Sequence, residues 1–209
     1  MGKKKEKKET TPIEEDKRYL YIQADAAYHE AGHVMALISL ELTFDHVDII
    51  HKSNRGGHVN GKIKKNLYAV SSLLNDNIIS LCGGMAQSYK NNIGDRGDLV
   101  FSCGIPDCDY AEGRLSSFWQ TISYVKFKNL PLGYNICLRK LRDELFMTSR
   151  KLVVDNWAQI DLIAKELLVK RKLTHREVIV LLLENNMYDN LVAPPRIKLE
   201  PEVSKVKVD

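Results

Sequence analysis

The run DAAYHEAGHVMALISL, residues 25 to 40, constrains this chain more than any other stretch. Its Ala, Leu and Met are strong helix formers and Asp25 stands where an N-cap belongs, so a helix from about Asp25 to Leu40 is expected. Most of that helix is apolar, yet it carries His29, Glu30 and His33, which are costly to bury unless they find partners. Positions i and i+4 share a helical face about 5–6 Å apart, so the two imidazoles can reach one metal ion and form a two-nitrogen half-site. Glu30, turned about 100° from His29, is poorly placed to join them as a ligand but can reach a water on that metal. Zinc lowers the pKa of such a water to about 7, and a nearby carboxylate can take its proton and pass it to a leaving amine. The pattern therefore points to peptide-bond hydrolysis, with Glu30 as the catalytic base. A buried helix whose histidines are satisfied by hydrogen bonds fits the same five residues, so the surrounding sequence has to decide.

The 209 residues suffice for one packed domain with tails. Hydrophobic residues at 44% and charged residues at 28% exclude wholesale disorder, and the longest apolar run, VMALISLELTF, is interrupted by Glu41 and too short to span a bilayer. The basic opening MGKKKEKKETT leads into PIEEDKRYL and not into an apolar segment, so it is not read as a secretory signal. Gly2 lacks the Ser or Thr that a myristoylation site wants at position 6, where Glu6 stands. A net charge of +4, much of it in this arm, suits a solvated tail better than a nucleic-acid surface. Four irregularly spaced cysteines, Cys82, Cys103, Cys108 and Cys137, read as reduced thiols, which places the chain in the cytoplasm.

Along the chain, residues 1 to 17 form a basic arm, 18 to 190 a domain, and 191 to 209 a Pro-rich charged tail expected to be disordered. FDHVDIIHK and GGHVNGKI flank a Ser-Asn-Arg-Gly-Gly turn and predict a short hairpin. Leu67, Val70, Leu74, Ile78, Leu81 and Met85 recur at helical spacing and predict a helix over Asn66 to Lys90, where Gly83-Gly84 signals close packing or a bend. Residues 91 to 108 read mainly as loop, and Pro106 opens a further helix through DYAEGRLSSFWQTISYVK. Helices follow over Tyr134 to Asp155 and Trp157 to Lys170, and Thr174-His175-Arg176-Glu177 is a capping-box sequence that starts a final short helix. The expected fold is α+β, mainly α-helical, with an HExxH helix, a small hairpin and a C-terminal helical bundle.

AYHEAGH, its apolar helix end, the FDHVDII segment and the Gly-Gly-His-Val turn together resemble the peptidase domain of the FtsH family of AAA+ zinc metalloproteases. LLNDNIISLCGGMAQSY resembles that family's helix ending in Gly-Gly and small residues, and the closing segment from LRDELF to VIVLL is similar in length and pattern. The resemblance covers about residues 24 to 185. It implies one zinc per chain and a third ligand, an Asp at the start of a helix beyond the Gly-Gly helix. Asp109 is favoured because the helical stretch it opens is long and carries Gly113 and Ser117 where the family has small residues. Asp98, in GDRGDLV, and Asp107 compete with it. Two departures stand out: the family carries an ATPase module and a membrane anchor, and this sequence holds neither a phosphate-cradling G-x-x-x-x-G-K-[ST] loop nor a spanning segment.

The expectation is a zinc metallopeptidase that is ATP-independent on its own and cuts unfolded or exposed polypeptide segments, with a separate ATPase as a possible partner. A catalytically silent zinc module of the same fold is the alternative, and a nucleic-acid-binding protein with an accidental His-Glu-His pattern is a second. His46, His51 and His58 are read as structural or surface residues, and Tyr110, Phe118, Trp119 and Tyr124 as core; the Gly56-Gly57-His58-Val59 edge could accept a peptide strand.

Overall fold

A computed structural model of the chain describes residues 12–49, 58–60, 70–92, 113 and 131–195. Five helices, α1 (Pro12–Ser39), α2 (Val70–Lys90), α3 (Pro131–Asp155), α4 (Trp157–Lys170) and α5 (His175–Glu184), and three strands, β1 (His46–Asp48), β2 (His58–Asn60) and β3 (Lys172–Thr174), make up these residues. The domain is mainly helical with one small antiparallel sheet, as expected. Among the described residues no helix is long and apolar enough to cross a membrane.

α1 is the central element. Val34, Met35, Ala36 and Leu37 are consecutive and all at most 2% exposed, so this part of the helix is covered on every side. α2 packs along one side of it, α4 along another, and α3 lies on α2. Each contributes an apolar stripe at helical spacing: Leu74, Ile78, Cys82 and Met85 from α2, Leu141, Leu145 and Leu152 from α3, and Ile160, Ile163, Ala164 and Leu167 from α4. Val178 and Leu182 of α5 close the core.

α1 starts well before the Asp25 cap that the sequence suggested. PIEEDKRYLYIQ is rich in Glu, Lys, Arg and Leu, which lose little rotamer freedom in a helix, and Pro12 occupies the first turn, where its missing N–H costs no helical bond. Residues 12 to 17, expected in the arm, are therefore helical. Asp25 instead accepts from Lys90 Nζ at 2.6 Å and from Asn91 Nδ2 at 3.1 Å, tying α1 to the C-terminal end of α2.

The two strands expected of the hairpin pair antiparallel, with Val47 opposite Val59, while the expected turn between them lies outside the described residues. β1 also pairs with β3, which the sequence reading missed, and Val47 meets Leu173 in that register. Three residues are too few to show an alternating pattern, but Val47 and Leu173 are both fully buried and anchor the sheet on the helices. The turn into β3 is made by Arg171, a left-handed C-cap at φ 66° whose N–H reaches Leu167 O at 2.8 Å. α2 ends at Lys90 as expected, its expected first residues 66 to 69 lying outside the described ones; α3 begins three residues early, α4 matches at both ends, and Thr174 and Glu177 form the anticipated capping box.

The first residues of the expected tail include one tied to the bundle, and residues 196 to 209 lie outside the described residues. Asn156, between α3 and α4 and fully buried, donates to Leu152 O at 2.9 Å and to Val192 O at 3.0 Å, and its Oδ1 accepts from Val192 N at 2.9 Å. Val192 is thereby held against the α3–α4 junction. Of the helix expected after Pro106, Gly113 alone is described, and it is helical.

Candidate metal centre

His29 and His33 stand on one face of α1 with their Nε2 atoms 3.1 Å apart. Two nitrogens bound to one tetrahedral zinc, each about 2.0–2.1 Å from it, lie about 3.3 Å from each other, so the observed spacing is close to that of a shared ligand pair. The rings meet edge to face, centroids 4.7 Å apart and planes at 83°, with the two Nε2 corners converging.

The opposite nitrogens meet oxygens on α2. His33 Nδ1 donates to the backbone carbonyl of Ile79 at 2.8 Å, and His29 Nδ1 lies 3.3 Å from Gln87 Oε1. A carbonyl can only accept, so the neutral His33 ring carries its proton on Nδ1 and presents a lone pair at Nε2. Metal-bound histidines commonly have this arrangement, in which an oxygen on the far nitrogen fixes tautomer and ring orientation.

Two glycines allow this closeness. A Cβ built at Gly32 would run into the Cys82 carbonyl and lie 2.7 Å from Ala86 Cβ, so α1 and α2 touch backbone to backbone between the two histidines. A Cβ at Gly83 would strike the His33 ring, 2.9 Å from Nδ1 and nearer still to Cε1 and Nε2. The small residues of both helices are thereby explained by one crossing. Cys82 sits in it fully buried; burial pushes its thiol up to about 12, and Sγ makes only a weak contact to Ser149 O at 3.8 Å. It is a packing residue and supplies no thiolate at neutral pH.

Glu30 is 4% exposed, so the charge expected to move protons lies in the α1 interior and not on a solvated face. Such a carboxylate is costly to bury without function or partners. Asp109, Asp98 and Asp107 lie outside the described residues, as do His51, Tyr110, Phe118, Trp119 and Tyr124. Among the described residues no third His, Cys, Asp or Glu joins the histidine pair in a metal-sized group. His46 is engaged with Asp48 at 3.3 Å within β1, and His58 lies on the sheet-edge strand β2.

Two features of the site's surroundings escaped sequence reasoning. Gln87 is 3% exposed, yet an amide among the several polar residues of α2 has no distinctive spacing to mark it. The second is an aromatic brace beside the site: Tyr28 stacks on Trp157 at 5.6 Å, Trp157 meets Tyr89 at 4.6 Å, and Tyr28 donates to Asp161 Oδ1 at 2.5 Å. Burial and then the Asp161 carboxylate hold the Tyr28 phenol protonated well above its ordinary range. Tyr28 precedes His29, so the brace fixes the turn of α1 that carries the first imidazole. No protein-family model matches the chain, and no curated protein does so either.

Proposed function

We propose that this protein is a zinc-dependent metallopeptidase that hydrolyses peptide bonds in exposed or unfolded polypeptide segments. The observation that carries this reading is the His29–His33 pair, Nε2 to Nε2 at 3.1 Å, with a carbonyl oxygen behind His33 and an amide oxygen behind His29. Such a donor set suits zinc, which favours neutral imidazole nitrogen in tetrahedral sites. Zinc held there would supply Lewis acidity, polarising a peptide carbonyl and bringing the pKa of a water to about 7.

The chain's own residues do the rest. His29 and His33 stand one turn apart on the same face of α1 with their Nε2 atoms 3.1 Å apart, so they are already together. Glu30 takes the proton of the attacking water on its carboxylate and delivers it to the amide nitrogen as the C–N bond breaks. Asp109 completes the ligand set in this reading, leaving one position open for substrate. The resemblance of AYHEAGH to the FtsH peptidase motif is the sequence ground for the assignment, and Gly32 has a local physical reason in the close approach of α2. Unfolding of larger substrates would fall to a separate ATPase.

The test is zinc content and casein hydrolysis of the wild type beside Glu30→Gln. Both proteins should retain metal and only the wild type should cut, with at least a 100-fold loss in the variant. Equal cutting would remove Glu30 from the chemistry, and lack of zinc in both would end the reading.

A further inference from the structure

Two side-chain amides at the start of α4 are spent on the main chain of one segment near the C-terminus. Asn156 holds the N-cap position of α4, where an asparagine ordinarily accepts from an early N–H of its own helix, yet its side chain makes no cap bond. Instead its Nδ2 donates to Leu152 O and to Val192 O, and its Oδ1 accepts from Val192 N. Gln159, one turn on and 6% exposed, donates through Nε2 to Met187 O at 3.4 Å. Both amides therefore grip residues 187 to 192 by backbone atoms. The rest of that segment is thinly held: Met187 and Leu191 are only partly buried against the core, Asp189 and Asn190 are exposed, and Leu191 N turns back to Tyr188 O. A segment with so few buried contacts opens locally at a free energy below that of the whole fold.

We propose that residues 187 to 192 are a strap whose seating sets the position of His29 through the turn between α3 and α4. When the strap lifts, Asn156 loses two of its three side-chain hydrogen bonds at a fully buried position. A buried donor and acceptor left empty are costly, so the turn rearranges to satisfy them, for instance by making the cap bond that Asn156 forgoes when the strap is seated. Trp157 is the next residue, and its ring stacks on Tyr28 at 5.6 Å and meets Tyr89 edge-on at 4.6 Å. Tyr28 directly precedes His29, so a displaced Trp157 is felt one residue from the first imidazole. Seated and lifted straps are thus two states of one element, and Asn156 is a positioning residue that acts through Trp157 and Tyr28. The coupling rests on the zinc reading for its use at the metal but not for its geometry.

The experiment is NMR of the aromatic and histidine rings in the metal-free full chain, with zinc affinity measured against a competing chelator. Val192→Pro deletes the N–H that Asn156 accepts and leaves the side chains of all five helices in place, while Gln159→Met loosens the second anchor at nearly constant volume. The ring resonances of Trp157, Tyr28 and His29 should move together along one line, least in wild type, further in Gln159→Met and furthest in Val192→Pro, as two exchanging states require. The His46 ring, on β1, should not move, and Asp189→Ala, at an exposed strap position, should move none of them. Zinc affinity should fall in the same order, by at most about tenfold, the shift that one lost hydrogen bond brings. With Trp157→Leu in place the relay is cut, and Val192→Pro should no longer move Tyr28 and His29. Unmoved His29 resonances in folded Val192→Pro and Gln159→Met overturn the inference. So does His29 still responding to Val192→Pro in the Trp157→Leu background, or zinc affinity unchanged where the resonances have moved. If the resonances respond as described while neither wild type nor any variant binds zinc, the strap keeps its hold on His29 and the peptidase reading fails.

Discussion

The α1–α2 crossing and the α4–α5 corner are built on opposite terms. At the corner, Ile160, Ile163, Ala164, Leu167, Val178 and Leu182 are all fully buried and apolar, and the chain turns through a left-handed C-cap and a complete capping box. Along α1 and α2, glycines replace side chains at the tightest points, and Glu30, Asp76, Asn77, Gln87 and Ser88 are all no more than 6% exposed. Burying that many polar groups is a stability cost that an apolar interface would avoid. The contrast teaches that the histidine pair lies where the helices bury polar side chains and not where the core is purely apolar.

Substitutions can break this contrast. Leu167→Ala should have the largest effect on stability, about 2–5 kcal/mol, because it empties a fully enclosed site. Chemical denaturation should register that loss while the folded fraction keeps its zinc affinity. Gly83→Ala should cost less, about 1–3 kcal/mol, as the new methyl displaces the His33 ring, even though alanine is the better helix former by about 1 kcal/mol. Zinc binding should fall more steeply than stability in that variant, the reverse of Leu167→Ala. The smallest effect belongs to Thr174→Ala, about 1 kcal/mol from the lost cap, visible as a lower thermal midpoint with no change in metal content. If Gly83→Ala and Leu167→Ala affected metal and stability in the same proportion, the two regions would not differ in the way described.

Much of this was legible in the sequence where local chemistry is strong. The spacing of His29 and His33 alone places them on one face, and the Thr174–Glu177 box names a helix start unaided. Boundaries set by packing were harder. Asp25 has the chemistry of a cap and was read as one, whereas its actual partner, Lys90, is distant in sequence. β3 is too short for periodicity to report, and the position of Val192 depends on Asn156, whose role emerges only when α3 and α4 are brought together. Gln87 was invisible for the same reason: an amide's use is defined by what lies opposite it.

The central claim is that one zinc ion is held by two imidazoles of a single helix and by oxygen. X-ray absorption at the zinc edge of the metal-loaded chain tests it most directly. The account predicts two imidazole scatterers and oxygen donors at about 2.0–2.1 Å, with one imidazole lost in His33→Ala. A sulfur shell at about 2.3 Å, or a spectrum that His33→Ala leaves unchanged, would contradict it.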